Sequence, residues 1–205
     1  MANFPYNYCP VCAAKLDEGY IYGDVRQHCS TCDFVRFRDP KVSVIGVVTI
    51  SDRILMTQRA VDPQKGKWSL PGGYMDAGEM PTSALKRELM EEVGLEVEIG
   101  NLIEIFPLTV EAPNKATEII NDLSVKVPPI NDRLIESTLA HETVGIVLAF
   151  EAWPASRQLQ TLESNDDVSD SAWMNWSELP QDNLAFASTR VLLEEWHSKN
   201  KNNCK

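Results

Sequence analysis

The chain is 205 residues long, with 43% hydrophobic and 24% charged residues and a formal net charge of −11. That balance fits a soluble globular protein of one main domain with a small appendage, and no apolar run approaches the ~20 residues needed to span a bilayer. The acidic surplus argues against a broad nucleic-acid-binding surface, and any phosphate substrate would need divalent metal and a few local cations to offset it.

The N-terminus, MANFPYNYCP, lacks a basic-then-apolar leader, so the cytoplasm is the expected compartment. Four of the five cysteines follow as Cys9-x-x-Cys12 and Cys29-x-x-Cys32, with sixteen residues between the pairs. Without a secretion signal, this spacing points to a four-thiolate zinc site rather than to two disulfides. Residues 1–38 hold too few apolar side chains to bury a core, so a metal would have to hold them together as a zinc ribbon. Each Cys-x-x-Cys would form a tight knuckle, with Gly19, Tyr20 and Tyr22 in the hairpin between them. His28 adjoins Cys29, but four thiolates already complete a tetrahedron, and a closed site leaves no open position for chemistry. Stability, dimerisation and macromolecule binding are all roles such a ribbon serves, and iron would fit four thiols as zinc does. Cys204, in the polar tail 200–205, is expected to be a free thiol on a flexible end.

Residues 42–50, VSVIGVVTI, are rich in β-branched side chains and predict a buried strand. A turn at Asp52-Arg53 returns the chain as a strand over 54–59, ending at Arg59, and 60–67 is a polar loop. A strand is expected over 68–74, with Gly72 and Gly73 letting backbone approach a ligand closely. Residues 73–95, GYMDAGEMPTSALKRELMEEVGL, carry the chemistry. Pro81 suits the first turn of a helix, where its missing N–H has no partner to lose, and Gly94 supplies a left-handed stop. Between them Leu85, Leu89 and Val93 form one apolar stripe that must face a core. Glu88, Glu91 and Glu92, at i, i+3 and i+4, share an adjoining face and repel one another unless a cation sits between them. A solvated acidic face is one meaning of such a triplet. A site for a hard cation such as Mg²⁺ or Mn²⁺ is the other.

Strands are predicted again within 97–108 and over 141–153, HETVGIVLAFEAW. The connection between them, 111–140, holds Pro113, Pro128 and Pro129 and a short amphipathic stretch at 117–123. A lid, a substrate-specificity loop or a dimer arm are the roles a segment of that length would serve. Glu163, Asp166, Asp167 and Asp170 form an acidic loop, followed by a short strand over 172–176 and the turn Leu179-Pro180. An amphipathic helix over 187–199, with Val191, Leu192 and Trp196, closes the chain.

Gly73, Glu79, Arg87-Glu88-Leu89, Glu91-Glu92, Gly94 and Leu95 match every fixed position of G-x5-E-x7-R-E-U-x-E-E-x-G-U, where U is aliphatic. By these residues the chain resembles the Nudix hydrolases, and the lead-in Trp68-Ser69-Leu70-Pro71-Gly72-Gly73 resembles the usual entry to that motif. The resemblance implies an α/β/α sandwich with a mixed β-sheet over 39–199, preceded by the zinc ribbon over 1–38. It also implies hydrolysis of a nucleoside diphosphate linked to another moiety, by water attacking one phosphorus. Glu88 and Glu92 are the implied Mg²⁺ ligands, Glu91 a third ligand or the base, and Gly73 the donor of a backbone carbonyl. Arg87 and Glu79 are expected to pair with each other, fixing the loop on the helix. Arg59 stands where relatives place a cation near substrate phosphate; a surface ion pair is its other meaning. Glu142, Glu163 and Asp167 are candidates for an extra base or ligand.

A zinc ribbon ahead of this motif resembles the subgroup that cleaves NADH, FAD or ADP-ribose. The SQPWPFP stretch of the NADH enzymes is absent. So is the proline that ADP-ribose enzymes place fifteen or sixteen residues past the motif, where Val110 and Glu111 stand between Pro107 and Pro113. The upstream signature of coenzyme A enzymes is missing too, and the layout looks most like the FAD and ADP-ribose type. A small nucleotide is thus the expected partner, with a homodimer as one assembly. A nucleotide sensor whose ribbon binds a macromolecule is the alternative, although sensors tend to lose the carboxylates kept here. Hydrolysis of capped RNA is disfavoured by the acidic balance.

Overall fold

A computed structural model describes residues 6–37, 39–111 and 141–201, leaving aside the side chains of 108–111, 141–144 and 200–201. The chain divides into two compact units, Met1–Pro40 and Lys41–Lys205. The 111–140 connection, apart from Glu111, and Cys204 lie outside the described residues.

The first unit is a two-stranded hairpin. Strand β1 (Asp17–Ile21) pairs antiparallel with β2 (Asp24–His28), Tyr20 opposite Val25. Its buried interior is Cys9, Leu16 and Cys29, with Ala14, Cys32 and Phe34 packed against them. His28 lies against Gly19, where a Cβ would stand 2.9 Å from the imidazole Nε2.

The second unit is a six-stranded mixed sheet between two helices. Strand β3 (Lys41–Ile50) turns at Ser51 and Asp52 into β4 (Arg53–Arg59), so Arg53 already belongs to the strand. Only two residue pairs join these strands, Thr49 with Ile54 and Ile50 with Arg53. Beyond them β4 leaves β3 and pairs with β5 (Trp68–Ser69) and β8 (Val168–Asn175). On its other edge β3 runs parallel to β7 (His141–Pro154), which pairs antiparallel with β6 (Val97–Glu111).

The edge of β3 that β4 abandons is occupied by residues 71–75, and this is why the strand expected over 68–74 shrinks to Trp68–Ser69. Gly46 N–H donates to Pro71 O at 3.0 Å, Val44 N–H to Gly73 O at 2.8 Å, and Met75 N–H to Val42 O at 3.0 Å. The last strand differs in the other direction. It starts at Val168, four residues before the predicted 172, and takes Asp170 out of the acidic loop into the pairing with Gln58. Trp176 opens a 3₁₀ turn instead of ending the strand.

Helix α1 (Pro81–Val93) has Pro81 in its first turn and ends on Gly94 at φ +64°. Gly94 N–H donates to Met90 O and Leu95 N–H to Leu89 O, which satisfies the last carbonyls. Ala84, Leu85, Leu89 and Val93 are fully buried against Val44, Val48, Leu55, Phe150 and Ala152. The intervening residues of the same strands face the other way. Val47, Ile54, Met56, Val147 and Ala149 pack with Leu192 and Leu193 of α2 (Ala187–Lys201), which runs two residues into the expected tail. Alternation along the strands thus builds two cores, one per face. No helix among the described residues is long and apolar enough to cross a membrane.

Candidate active site

Two adjacent glycines set the site, for different reasons. Gly72 adopts φ +141°, and a Cβ there would stand 2.1 Å from the Val44 carbonyl oxygen; it presses the loop onto β3. Gly73 leaves room for Glu88, whose carboxylate would lie about 2.5 Å from a Cβ at that position. Gly73→Ala is therefore expected to push the Glu88 carboxylate aside with the melting temperature little changed. Gly72→Ala, which meets fixed backbone, should instead destabilise the unit by about 2 kcal/mol or more. Thermal melts of the two variants separate these outcomes.

Arg87 ties the loop to the helix. Its Nε donates to Glu79 Oε1 at 3.0 Å, and its Nη2 to Glu79 Oε2 at 2.9 Å and to Tyr74 O at 3.0 Å. Its Nη1 donates to Glu88 Oε1 at 2.9 Å and Glu91 Oε2 at 3.0 Å. A guanidinium has five N–H donors, and all are used, so none remains for a substrate. Glu79 Oε2 also accepts from Asp76 N–H at 3.1 Å. The Arg87 hydrogen bonds hold the Glu79 carboxyl below the usual carboxylate range.

Glu92 is 8% exposed, at the edge of the apolar stripe, and its Oε2 accepts from Gly72 N–H at 3.0 Å. Burial pushes its carboxyl up to about 8; the Glu88 and Asp167 carboxylates add to this, while Gly72 N–H and Arg59 oppose it. Burial also raises Glu88, opposed by Arg87 and reinforced by Glu91 and Asp166. Glu91 is half exposed.

The acidic loop is tied to the end of α1. Glu163 N–H donates to Val93 O at 3.1 Å and Asn165 N–H to Glu92 O at 3.0 Å. This brings Asp166 and Asp167 to act on Glu88 and Glu92. Glu163 turns elsewhere, its carboxylate lying over Gly94 and accepting from Asn165 Nδ2 at 3.2 Å. The side chain of Glu142 lies outside the described residues. Asp166 was visible in the sequence only as one of a run of acids; the contact of the loop with the helix end singles it out.

Arg59, at the end of β4, is the cation that acts on Glu92. Its Nε donates to Pro63 O at 2.7 Å, and its guanidinium stands 5.5 Å from the Phe186 ring centre. Among the described residues it has no carboxylate within ion-pair distance, so the structure does not support the surface ion pair considered from the sequence.

This donor set suits a hard divalent cation: three carboxylates, one of which, Glu92, is desolvated. Gly73 O, for its part, accepts from Val44 N–H of β3. The glutamates are not drawn to one point here, since Glu88 and Glu91 both turn to Arg87. Among the described residues the group that does converge is Cys9, Cys12, Cys29 and Cys32, whose sulfurs lie within 4.8 Å of one another. The Cys9–Cys32 and Cys12–Cys29 sulfurs are each 3.5 Å apart, far longer than a disulfide bond. Four thiolates around zinc at about 2.3 Å stand about 3.8 Å apart, so this cage is nearly of that size. Val11 and Thr31 N–H donate to the Cys9 and Cys29 sulfurs, each at 3.4 Å. The Thr31 N–H is the main cause holding the Cys29 thiol down to about 6. His28 is not part of the cluster.

The family profile of the NUDIX domain matches residues 38–194. The chain belongs to the NUDIX family. Among solved structures, a NUDIX hydrolase from Nitrosomonas europaea superposes with a TM-score of 0.74 at 19% identity, covering 96% of this chain and 93% of that one. That likeness shows the Nudix fold. Among curated relatives, the ADP-ribose pyrophosphatase of Methanocaldococcus jannaschii is 36% identical over 67 residues, 33% of this chain and 40% of the relative. The 8-oxo-dGDP phosphatase of Homo sapiens is 38% identical over 73 residues, 35% of this chain and 23% of the relative. The Nudix chain therefore spans less than half the length of either relative.

Proposed function

We propose that this Nudix protein hydrolyses the pyrophosphate of a nucleoside diphosphate linked to a second moiety, of the FAD, ADP-ribose or NADH type, with Mg²⁺ or Mn²⁺. The observation that carries this is the buried Glu92 carboxylate accepting from Gly72 N–H, with the Glu88 carboxylate under Gly73 and with Arg59, which among the described residues has no carboxylate within ion-pair distance, acting on Glu92. Water attacks one phosphorus, the bridging P–O bond breaks, and a nucleoside monophosphate leaves the phosphorylated second moiety. A divalent cation held by Glu88, Glu92 and Glu91 would neutralise phosphoryl charge and lower the pKa of the water nucleophile.

The chain's own residues do the rest. Arg59 offers two Nη groups to a phosphate in the bidentate manner guanidinium favours. Glu91, exposed at the rim, is either the third ligand or the base that takes the water's proton, with Asp167 a candidate to assist. Arg87 and Glu79 act at one remove by fixing the loop and the two inner carboxylates. The four thiolates would hold a structural Zn²⁺ that keeps the ribbon, residues 1–38, folded. A homodimer and a cytoplasmic location belong to the same proposal.

The name of the Methanocaldococcus jannaschii relative supports the ADP-ribose type; that of the human relative adds oxidised guanine nucleotides to the substrates worth testing. A product assay with Mg²⁺ should cover FAD, NADH, ADP-ribose, diadenosine polyphosphates and nucleoside triphosphates including 8-oxo-dGTP. AMP release from one of the first three is the expected result and names the second moiety. Turnover confined to triphosphates would overturn the substrate class, and nucleotide binding with no turnover would favour the sensor.

A further inference from the structure

We propose that Phe186 is a positioning residue that holds Arg59 in the pose that reads substrate phosphate. The residue that leads into the last helix would then form part of substrate recognition. This rests on the hydrolase assignment above and adds a residue to which the sequence gives no role.

Arg59 is fixed at its backbone and along its side chain, yet its charge is not consumed. Arg59 N–H donates to Lys67 O at 2.9 Å and Gly66 N–H donates to Arg59 O at 2.8 Å, which closes the loop 60–66 on the residue. Ala60 N–H donates to Asp167 O at 2.7 Å, binding the next residue to the acidic loop. On the side chain, Pro63 O takes Nε and the half-buried Phe186 ring lies 5.5 Å from Cζ. A carboxylate in either place would pair with the guanidinium and reduce its pull on an anion. A carbonyl and an aromatic face orient the group while leaving its charge and, among the described residues, both Nη groups available.

Phe186 follows a segment bound to β5, where Leu184 is also part of the core under α2. Ala185 N–H donates to Trp68 O at 2.8 Å, and Leu184 bridges Trp68 in parallel, so 184–185 are stitched to β5. Thr189 N–H donates to Phe186 O at 3.1 Å, which places Phe186 at the entry to α2. The strand that leads to Gly72 and the helix that covers the opposite face are thereby joined at the residue over Arg59. Preorganisation of this kind strengthens binding by removing the loss of rotamer freedom that a free arginine would suffer.

The test is a double-mutant cycle read in two ways: steady-state kinetics on the best substrate, and calorimetric binding of α,β-methylene-ADP with Mg²⁺. Phe186→Leu should lower kcat/KM about fivefold, chiefly through KM, and weaken analogue binding to match. Phe186→Tyr, which keeps the ring, should restore both to within about twofold of wild type. In an Arg59→Ala background, Phe186→Leu should have no further effect, because the residue acts only through Arg59. Equal losses in both backgrounds, or no loss in either, overturn the inference while leaving the hydrolase assignment in place. A wild type that neither turns over any pyrophosphate nor binds the analogue overturns both.

Discussion

Glu92→Gln is expected to lose about 10³-fold in turnover while making the protein without divalent cation more stable. The loss follows because Gln cannot supply the anionic oxygen at the most buried position of the carboxylate cluster. The gain follows from the same burial. The Glu92 carboxyl is pushed from 4.5 up to about 8, and each tenfold change in an ionisation constant corresponds to about 1.4 kcal/mol. After relaxation, about 2 kcal/mol is a reasonable share of that ceiling, or about 4–8 °C in melting temperature. The sign depends on pH. A carboxyl whose folded pKa is raised leaves stability intact below its unfolded value, near 4.5, and lowers it as pH rises through the folded value, near 8. Thermal melts with the thiolate metal retained should therefore show equal stability of wild type and variant near pH 4.5. A gap in favour of Gln should open up to about pH 8 and stay constant above it. Excess Mg²⁺ should reverse the order, since only the wild type binds it well. A variant less stable than wild type at pH 8.5 without Mg²⁺ would show that Glu92 is a structural carboxylate.

Cys29→Ser, at the most buried of the four thiols, should release the metal and unfold the first unit while leaving the Nudix unit folded. Among the described residues of Met1–Pro40 the buried interior is Cys9, Leu16 and Cys29, too little apolar surface to hold the unit together without a cross-link. Binding free energies of roughly 10–16 kcal/mol for structural zinc in small domains are in effect folding free energies. The wild type should carry about one Zn²⁺ per chain by elemental analysis. In the variant, amide resonances of 6–37 should collapse to random-coil positions while the methyl resonances of Leu85, Leu89 and Val93 stay dispersed. Retention of the hairpin resonances in the metal-free variant would mean that the ribbon folds on side-chain packing alone.

Helix α1 was legible because every local signal agreed: a proline that fits only the first turn, a glycine at the left-handed stop and an apolar stripe at helical spacing. The Glu79–Arg87 pair came through the family resemblance, and the structure forms it at 2.9 Å. What one chain could not reveal was contact between distant segments. The break in the strand expected over 68–74 depends on β4 leaving β3 after two residue pairs, which no pattern within either strand encodes. The separation of Asp166 and Asp167 from Glu163 depends on which backbone amides reach the end of α1. Arg59 drew notice only through the family resemblance, and Phe186 drew none, since an aromatic residue before a helix is ordinarily core. Glu92 read as part of an acidic face, yet it is buried and accepts from Gly72 N–H, a contact from outside its own helix that the face pattern does not encode.

Water must be added to phosphorus at this site if the protein is the proposed hydrolase. Hydrolysis of ADP-ribose and of FAD in H₂¹⁸O with Mg²⁺, followed by mass spectrometry of both products, tests it most directly. The label is expected in a phosphate group, either that of AMP or that of the partner product, and Glu92→Gln should release neither product at a comparable rate. Label in a sugar hydroxyl, or wild-type protein that binds these nucleotides and leaves them intact, would contradict the account.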